Sequence, residues 1–439
     1  MIVNSVLPYS TITRNNANKS NLNINFNGKI KTNIFKNEVT DVFEKLAKIP
    51  SPPLKESAVS DWILAFCKQN KIKAELDNYK NVKLTIPATD ETKSPLMFSA
   101  HMDVVGDNSP VNLIKANGFI KTDGKRTLGA DDKSGVAAAL MLAKEFANTD
   151  IKHGGLEMLF TRDEELGMTG IINADLSNIL SKYVVVLDEA TLGKFDNAGA
   201  GYTTVKLSVS TQYGGHSGMD IKDKKRLNAA KIISDLISEF PQGVWCEDKS
   251  GNITSLNVGT IIAGDIQNSA AKILEDKLVT NNYLDYFMKN SVTNVINTKA
   301  MATLSIRSTD KLRENELRQK LCKITEKYNK KYKGLASVDI NYEELMPIFE
   351  KTNDKKIENL YLEACKKLNM KPNIGTFPAG AETHIYTSKK NKNKEFFIPV
   401  LLGIANIFNM HSPREKMNIA SLKKGYELIR EIFLKFNNI

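Results

Sequence analysis

The sequence has few of the residues that bind metals through sulfur or that form disulfides. It contains four cysteines among 439 residues, and none of them stands in a CxxC pair. This spacing excludes a thiolate zinc cluster and a disulfide framework of the small secreted kind. The thiols are therefore expected to be free and mostly buried, as in a reducing compartment; they are Cys67, Cys246, Cys322 and Cys365.

Long apolar runs are also missing from this chain. No stretch approaches the roughly 18 apolar residues of a transmembrane helix, and residues 1–33 lack a continuous apolar core of signal-peptide length. Residues 1–35, which are rich in Asn and Ser, are expected to form a loose extension. We therefore expect a cytoplasmic protein that has no membrane partner.

The charge of the chain is basic, with a net charge of +11 and a pI of about 9.1. The lysines, however, lie in short scattered runs, such as residues 222–226 and 389–394. No recognition motif for nucleic acid accompanies these runs. We interpret them as solvated surface and expect no nucleic-acid partner.

Histidine is scarce too, with five in the chain, yet two histidines fall into a set of acid and imidazole motifs. Each motif offers a ligand or a base for a two-metal hydrolase, in which metals ~3.5–4 Å apart activate water and polarise a carbonyl together. Ligation by carboxylates and imidazoles without thiolates suits zinc, with cobalt or manganese as substitutes. In chain order the motifs are His101-Met-Asp103, Asp131-Asp132, Asp163-Glu164-Glu165, Asp188-Glu189 and His411.

Three of these motifs follow short apolar runs that predict buried parallel strands, at residues 96–100, 156–160 and 183–187. Helical spacing between the runs, for example in residues 134–147, predicts a sheet covered by helices. In such sheets ligands bind outside the carboxyl ends of the strands. The sequence thus predicts that His101, Glu164, Glu165 and Asp188 cluster in space.

Beyond Gly201 the pattern changes to alternating strands, at residues 202–210, 253–258 and 301–307, with two accompanying helices. The predicted fold is therefore α/β, with a mixed, mostly parallel sheet, helices on both faces and an inserted α+β domain. The expected divisions are a first catalytic part at 36–203, the insertion at 204–345 and a second catalytic part at 346–439.

Taken singly, each motif also has a plainer interpretation. His101 could be a buried histidine satisfied by a neighbour, Asp131 a helix N-cap, and His411 an ordinary loop histidine. Asp188 could be a solvated strand-end acid, and residues 163–165 a solvated acidic turn. If that triplet is extended, its side chains alternate, so that Glu164 and Glu165 have different tasks. Lys133 could neutralise part of the charge of the neighbouring aspartates.

Five segments in order resemble the motifs of a known family: SAHMDVV, LGADDKSG, TRDEELG, GGHSGMDI and HSPREKM. The family is that of the co-catalytic di-zinc exopeptidases, which includes peptidase T, aminoacylhistidine dipeptidase and the glutamate carboxypeptidases. The resemblance covers residues of about 38–435, and the ordered set is specific although each piece alone is not.

The resemblance implies two zinc ions and a role for each matched residue. His101 and Asp188 would hold one zinc, Glu165 and His411 the other, and Asp131 would bridge them. Glu164 would be the general base, and Asp103 would orient His101.

The resemblance also implies a lid, residues 204–345, that is used for dimerisation. Its His216 would stabilise the oxyanion, often across a dimer, while Asn268 and Arg307 would clamp a substrate carboxylate. Gly380 would lie in a loop that approaches the substrate backbone.

The expected activity is that of a tripeptide aminopeptidase of peptidase T type, acting on short peptides. An Xaa-His-like dipeptidase and an N-acyl amino acid deacylase are the alternatives, because residues 378–384 are nearer the dipeptidase pattern and Asp188 lacks a following glycine pair. A segment at 273–299 looks inserted, and His384 belongs either to a substituted pocket or to a surface loop. A non-catalytic binding protein is a distant alternative that the intact motifs disfavour.

Overall fold

The computed structural model describes residues 28–147, 149–249, 251–264 and 292–439, with side chains from residue 34. Asn268, most of the segment 273–299 and the extension up to residue 27 lie outside the described residues. The described helices are α1 (Gly28–Ala47), α2 (Ser57–Gln69), α3 (Ala130–Phe146), α4 (Glu164–Gly167), α5 (Thr169–Asn173), α6 (Ala229–Ser238), α7 (Lys311–Lys331), α8 (Lys356–Lys367), α9 (Thr383–Tyr386) and α10 (Ile419–Phe436). The described strands are β1 (Lys73–Leu76), β2 (Val82–Ile86), β3 (Leu96–His101), β4 (Leu113–Ala116), β5 (Phe119–Thr122), β6 (Leu156–Thr161), β7 (Tyr183–Glu189), β8 (Lys194–Gly199), β9 (Gly201–Thr211), β10 (Gly215–His216), β11 (Gly243–Glu247), β12 (Ile253–Ala263), β13 (Val295–Ile296), β14 (Lys299–Ser308), β15 (Ala336–Met346), β16 (Asn373–Phe377), β17 (Ile398–Gly403), β18 (Ile407–Phe408) and β19 (Lys416–Asn418).

A mixed eight-stranded sheet forms the larger part of the molecule, in the order β1-β2-β6-β3-β7-β17-β8-β16. The pairs β3–β6, β3–β7, β7–β17 and β8–β16 are parallel, whereas β1–β2, β2–β6 and β8–β17 are antiparallel. Because β3, β6 and β7 run in the same direction, their carboxyl ends meet at one edge of the sheet. The predicted buried strands are confirmed.

Helices cover both faces of this sheet, as alternating side chains require. In β3, Phe98 and Ala100 point into a core shared with α1, α2, α3, α8 and α10, while Met97 points to the other face. That second face is covered by Ile171 of α5 and Tyr386 of α9. The predicted α/β class with helices on both faces is confirmed.

A second sheet, in the order β11-β12-β14-β9-β15, is antiparallel throughout. Alternate residues of β9, including Val205, Leu207 and Val209, pack with α6 and α7 in a separate core. The two sheets are joined where β9 follows β8 and where the chain returns after β15. There Gly199 and Phe349 exchange backbone hydrogen bonds of 2.8 and 3.2 Å. We keep 204–345 as the proposed extent of the lid.

Some local features differ from the sequence expectations. Helix α1 begins at Gly28, within the expected loose extension of residues 1–35, and Phe35 in its early part packs against the large core. All four cysteines are free; Cys67 and Cys365 are buried, and Cys246 and Cys322 are partly exposed. Within the described part of the chain, no helix combines the length and the apolarity needed to cross a bilayer.

Helix α10 packs unusually closely on the large sheet at Gly425, and this contact can be tested. A Cβ on Gly425 would lie 1.8 Å from the carbonyl oxygen of Ile404. Alanine in a helix normally gains up to about 1 kcal/mol over glycine, but here the clash should dominate. We expect Gly425→Ala to lower the free energy of unfolding by about 1–3 kcal/mol, measured by denaturant titration.

The neighbouring Lys424→Ala provides the control, because Lys424 is partly exposed and its replacement should change stability by less than about 0.5 kcal/mol. Equal stability of Gly425→Ala and the unchanged protein would contradict the close packing.

Candidate active site

The acid and imidazole motifs meet at the carboxyl edge of the large sheet. His101 is the last residue of β3, Asp188 is the next-to-last of β7, and Glu164 and Glu165 follow β6 through a short turn. A further motif, that of Asp131, lies at the start of α3 beside this edge. The sheet thus brings together side chains that are far apart in the sequence.

Asp131 is the centre of this cluster, because its two carboxylate oxygens face two different imidazoles. Its Oδ1 lies 3.3 Å from Nε2 of His101, and its Oδ2 lies 3.1 Å from Nε2 of His411. Asp188 Oδ1 is 3.6 Å from the His101 Nε2, and Glu165 Oε2 is 3.1 Å from the His411 Nε2. Asp131 therefore separates two groups, His101 with Asp188 and His411 with Glu165.

The two aspartates at the start of α3 have different environments. Asp131 and Asp132 both have non-helical dihedral angles, and the peptide bond between them is cis. Asp132 Oδ1 accepts a hydrogen bond of 2.9 Å from the N–H of Gly135, which is the capping contact. The capping interpretation thus applies to Asp132 and leaves Asp131 facing the cluster. Lys133 does not neutralise this pair, because its buried Nζ donates to the carbonyl of Ile49.

Asp103 holds the acidic triplet in place. Its Oδ1 and Oδ2 accept hydrogen bonds of 2.9 and 3.1 Å from the N–H groups of Glu164 and Glu165. The triplet is therefore not extended, since Glu164 begins α4 and Asp163 has a φ of +56°. Asp103 contacts His101 mainly through its backbone carbonyl, 2.9 Å from Nδ1, whereas its carboxylate is 3.5 Å away.

The loop that carries His411 projects over the cluster between β18 and β19. Asn409 and His411 both have positive φ values, of +55° and +58°, which are uncommon for residues other than glycine. Half of the His411 side chain is exposed, whereas the side chain of His101 is only 2% exposed. His411 therefore lies on the solvent side of the cluster, whereas His101 lies on its buried side.

A cavity of about 350 Å³ opens above these side chains. Its acidic end is formed by Asp131, Glu164, Glu165 and Asp188, and its remaining wall is largely apolar. The local sequence pattern of these apolar residues does not distinguish them from core residues, so it does not predict their place in the cavity wall. The wall includes Met168, Leu187, Phe377, Ile407 and Met410.

Burial strongly perturbs the acid–base properties of the cluster. It raises the pKa of Glu164 and of Asp188 well above the ordinary range, and neighbouring carboxylates raise both further. Burial also raises the pKa of Glu165 from its ordinary 4.5 to about 7. For Asp131 burial acts in the same direction, but hydrogen bonds from His101 and His411 outweigh it and lower the pKa.

The donor set fits a bound divalent cation. Donor atoms of His101, Asp131 and Glu165 all lie within 4.8 Å of one another, and the buried Glu165 Oε1 has no hydrogen-bond partner. Among the described residues, no lysine or arginine forms an ion pair with Asp131, Glu164, Glu165 or Asp188. Buried carboxylates that lack a cationic side chain need another source of positive charge.

The residues expected to hold substrate are only partly brought to this cavity. Gly380 lines it, and a Cβ there would meet the side chain of Met346 at 2.3 Å. His216 is exposed in β10, and Arg307 in β14 stacks 4.0 Å over the ring of Tyr202; neither lines the cavity. His384 is neither in a surface loop nor in the cavity wall, since it is fully buried beside Gly199.

Carboxylates and imidazoles gathered at the carboxyl ends of parallel strands form the kind of site that metal-assisted hydrolysis requires. The chain belongs to peptidase family M20/M25/M40, whose family model matches residues 97–435. The predicted membership of the family that includes peptidase T is thereby confirmed.

Individual relatives differ in how much of this chain they match. Peptidase T from Geobacillus sp. (strain WCH70) is 22% identical over 91% of this chain and 99% of its own length. The uncharacterised protein YqjE of Bacillus subtilis is 33% identical over 41% of this chain, so that the match spans only 48% of that relative. The structure of aminopeptidase PepT from Bacillus cereus superimposes with a TM-score of 0.76 at 20% identity, covering 91% of this chain and 98% of that chain. At this identity the structural likeness shows the fold.

The raised pKa values predict how pH affects cation binding. A carboxylic acid whose pKa is raised in the folded state stabilises that state below its ordinary pKa and loses this contribution as pH rises through the raised value. Glu165 therefore holds a competing proton at about pH 5.5 but little at about pH 7.5–8. We expect the rise in Tm on adding Zn²⁺ to chelator-treated protein to be larger at the higher pH.

The pKa values of the buried Lys133 and His384 are also shifted, but these residues titrate in both the zinc-free and the zinc-loaded sample. The difference in Tm between the two samples at each pH therefore reports on the cluster. In Glu165→Gln, which cannot release this proton, the pH dependence of the shift should shrink. The same shift at both pH values in the unchanged protein would contradict competition by protons.

Proposed function

We propose that this protein is a zinc-dependent tripeptide aminopeptidase of peptidase T type with two metal ions per subunit. The observation that carries the proposal is the position of Asp131, with one oxygen toward His101 and the other toward His411. A carboxylate shared in this way suits two cation sites rather than one. Family membership supports peptide hydrolysis as the reaction.

In this proposal, His101 and Asp188 hold one cation, Glu165 and His411 hold the other, and Asp131 is shared. When bound, two zinc ions would supply Lewis-acid polarisation of the scissile carbonyl and of water. Cobalt and manganese also accept such nitrogen and oxygen donors.

Glu164 is the proposed general base. It lines the cavity, and its carboxylate forms no hydrogen bond with another of the described side chains, whereas Glu165 is engaged by His411. Burial raises its pKa, which makes it a stronger acceptor of a proton from water and then a donor to the leaving amine. Asp103 fixes the position of Glu164 through the backbone N–H.

The lid would supply the contacts to the rest of the substrate. His216 Nδ1 accepts hydrogen bonds from the N–H groups of Gly218 and Met219, so the neutral imidazole carries its proton on Nε2. Nε2 is then a donor suited to an oxyanion. Arg307 has a buried Nη1 without a partner and is suited to a substrate carboxylate, in the role also proposed for Asn268. These roles are consistent with a homodimer formed through the lid.

The proposed base is tested by replacing Glu164 with glutamine, which keeps the side-chain shape but cannot accept the proton. We expect kcat for tripeptides to fall by about 10²–10⁴-fold, with zinc content unchanged. The measurements are the hydrolysis rates of di- and tripeptides by zinc- or cobalt-loaded protein, and the metal content after dialysis.

Glu91→Gln, at an exposed acid away from the cavity, is the matched control and should retain full activity. Cleavage of Xaa-His dipeptides alone would move the assignment to the dipeptidase alternative, and cleavage of N-acyl amino acids alone would move it to the deacylase. No turnover of any of these by protein with two bound metals would contradict the proposed function.

The proposed carboxylate clamp is tested with Arg307→Ala. Loss of an ionic contact to the substrate carboxylate should raise KM for a tripeptide by about 10-fold or more, equivalent to roughly 1.5–3 kcal/mol. A tripeptide with a C-terminal amide should bind less well to the unchanged protein and be nearly insensitive to the variant. Equal losses for both peptides would argue that Arg307 only supports the lid through Tyr202.

A further inference from the structure

The carboxylate of Glu415 is buried beneath the turn that carries Asp131. It is 1% exposed and accepts hydrogen bonds from the N–H groups of Gly129, Ala130 and Asp131 at 2.9, 2.8 and 3.4 Å. The hydroxyl of Thr127 donates to the same carboxylate. One side chain therefore satisfies nearly every donor of the turn immediately before the metal-binding aspartate.

Glu415 is itself firmly attached to the loop of His411. Its N–H donates to the carbonyl of Ser412 at 3.0 Å, and the next residue begins β19, which pairs with β5 and β18. The Ser412 hydroxyl in turn donates to the carbonyl of Asn409 at 2.7 Å. The loop on one side and the turn on the other are thus connected through a single carboxylate, across 284 positions of sequence.

The chemistry of this contact favours a positioning role over simple stabilisation. A buried carboxylate carries a desolvation penalty that a neutral side chain would avoid. In return, hydrogen bonds to a charged acceptor are about twice as strong as neutral ones and are directional. Asp131 has non-helical dihedral angles, so that the helical hydrogen-bond ladder does not fix its orientation. The hydrogen bonds from the N–H groups of Gly129, Ala130 and Asp131 to Glu415 do.

We propose that Glu415 is a positioning residue that holds Asp131 and His411 in register, so that the shared carboxylate can serve both cation sites at once. The proposal rests on the two-cation site proposed above. A small rotation of the 128–131 turn would move Oδ1 and Oδ2 of Asp131 away from both imidazoles together. The loss of Glu415 should therefore affect both cation sites rather than one.

The test is Glu415→Gln, compared with the unchanged protein and with Arg414→Ala as a control at the exposed neighbouring position. The Thr127 hydroxyl can turn to accept from the new amide, but the N–H of Gly129 cannot. Chelator-treated proteins are titrated with Co²⁺, and the d–d absorption spectrum, the binding affinity and the Tm with and without metal are recorded. We expect a 10–100-fold loss of Co²⁺ affinity, an altered spectrum at saturation and a smaller Tm rise on metal addition.

A purely structural role predicts a different result, in which the metal-free Tm falls while the spectrum and the Tm rise on metal addition stay unchanged. That result would overturn the proposal. If Glu415→Gln fails to fold, Thr127→Val removes one of the donors and leaves the carboxylate in place. This variant should lose affinity a few-fold and shift the spectrum in the same direction, and an unchanged spectrum would equally overturn the proposal. The proposed function fails separately, if the unchanged protein binds two cations but cleaves no peptide.

Discussion

The contact on which this structure depends is that of one carboxylate, Asp131, between two imidazoles. It lies in a buried cluster where like charges would repel each other strongly and where burial disfavours ionised acids. The side chains can stay together only if protons or cations compensate the charge. Among the described residues no lysine or arginine forms an ion pair with these acids, so the compensating charge has to come from protons or from the cavity side.

Two further carboxylates hold the chain around the cluster in position, and they do so by accepting hydrogen bonds from backbone N–H groups. Asp103 grips the N–H groups of Glu164 and Glu165, and Glu415 grips the turn that ends at Asp131. For Glu164, Glu165 and Asp131 these hydrogen bonds are made by the backbone N–H and not by the side chain. The carboxylates of these three residues therefore face the cavity, while hydrogen bonds hold their backbones in place.

The sequence predicts the parts of the site that follow from strand geometry. Apolar runs ending at His101 and Asp188 locate two residues at one sheet edge, because parallel strands share a carboxyl edge. Strand geometry does not distinguish Asp131 from Asp132. The family resemblance singles out Asp131, and only the turn geometry shows that Asp132 is the residue that caps the helix. Glu415 stands in the quoted HSPREKM segment, but its partners lie far away in the chain, so local spacing gives no sign of its contacts. Local spacing likewise does not predict the hydrogen bond from Lys133 to the carbonyl of Ile49, because Ile49 also lies far away in the chain.

The position of the proposed substrate-binding residues outside the acidic cavity bears on how the protein could select peptides by length. The cavity within the large sheet contains the acids and an apolar wall. Arg307 lies on the second sheet and His216 in the separate two-stranded sheet of β10 and β13, and neither lines the cavity. The two sheets are connected through adjacent strands at Gly199 and Phe349, where a side chain on Gly199 would collide with His384. With Arg307 as the proposed carboxylate clamp, its approach to a bound peptide would require a relative movement of the two sheets at this connection or a contribution from a partner subunit. On that proposal, the distance between the acid cluster and the clamp, and not the cluster itself, would set which peptide length is cleaved.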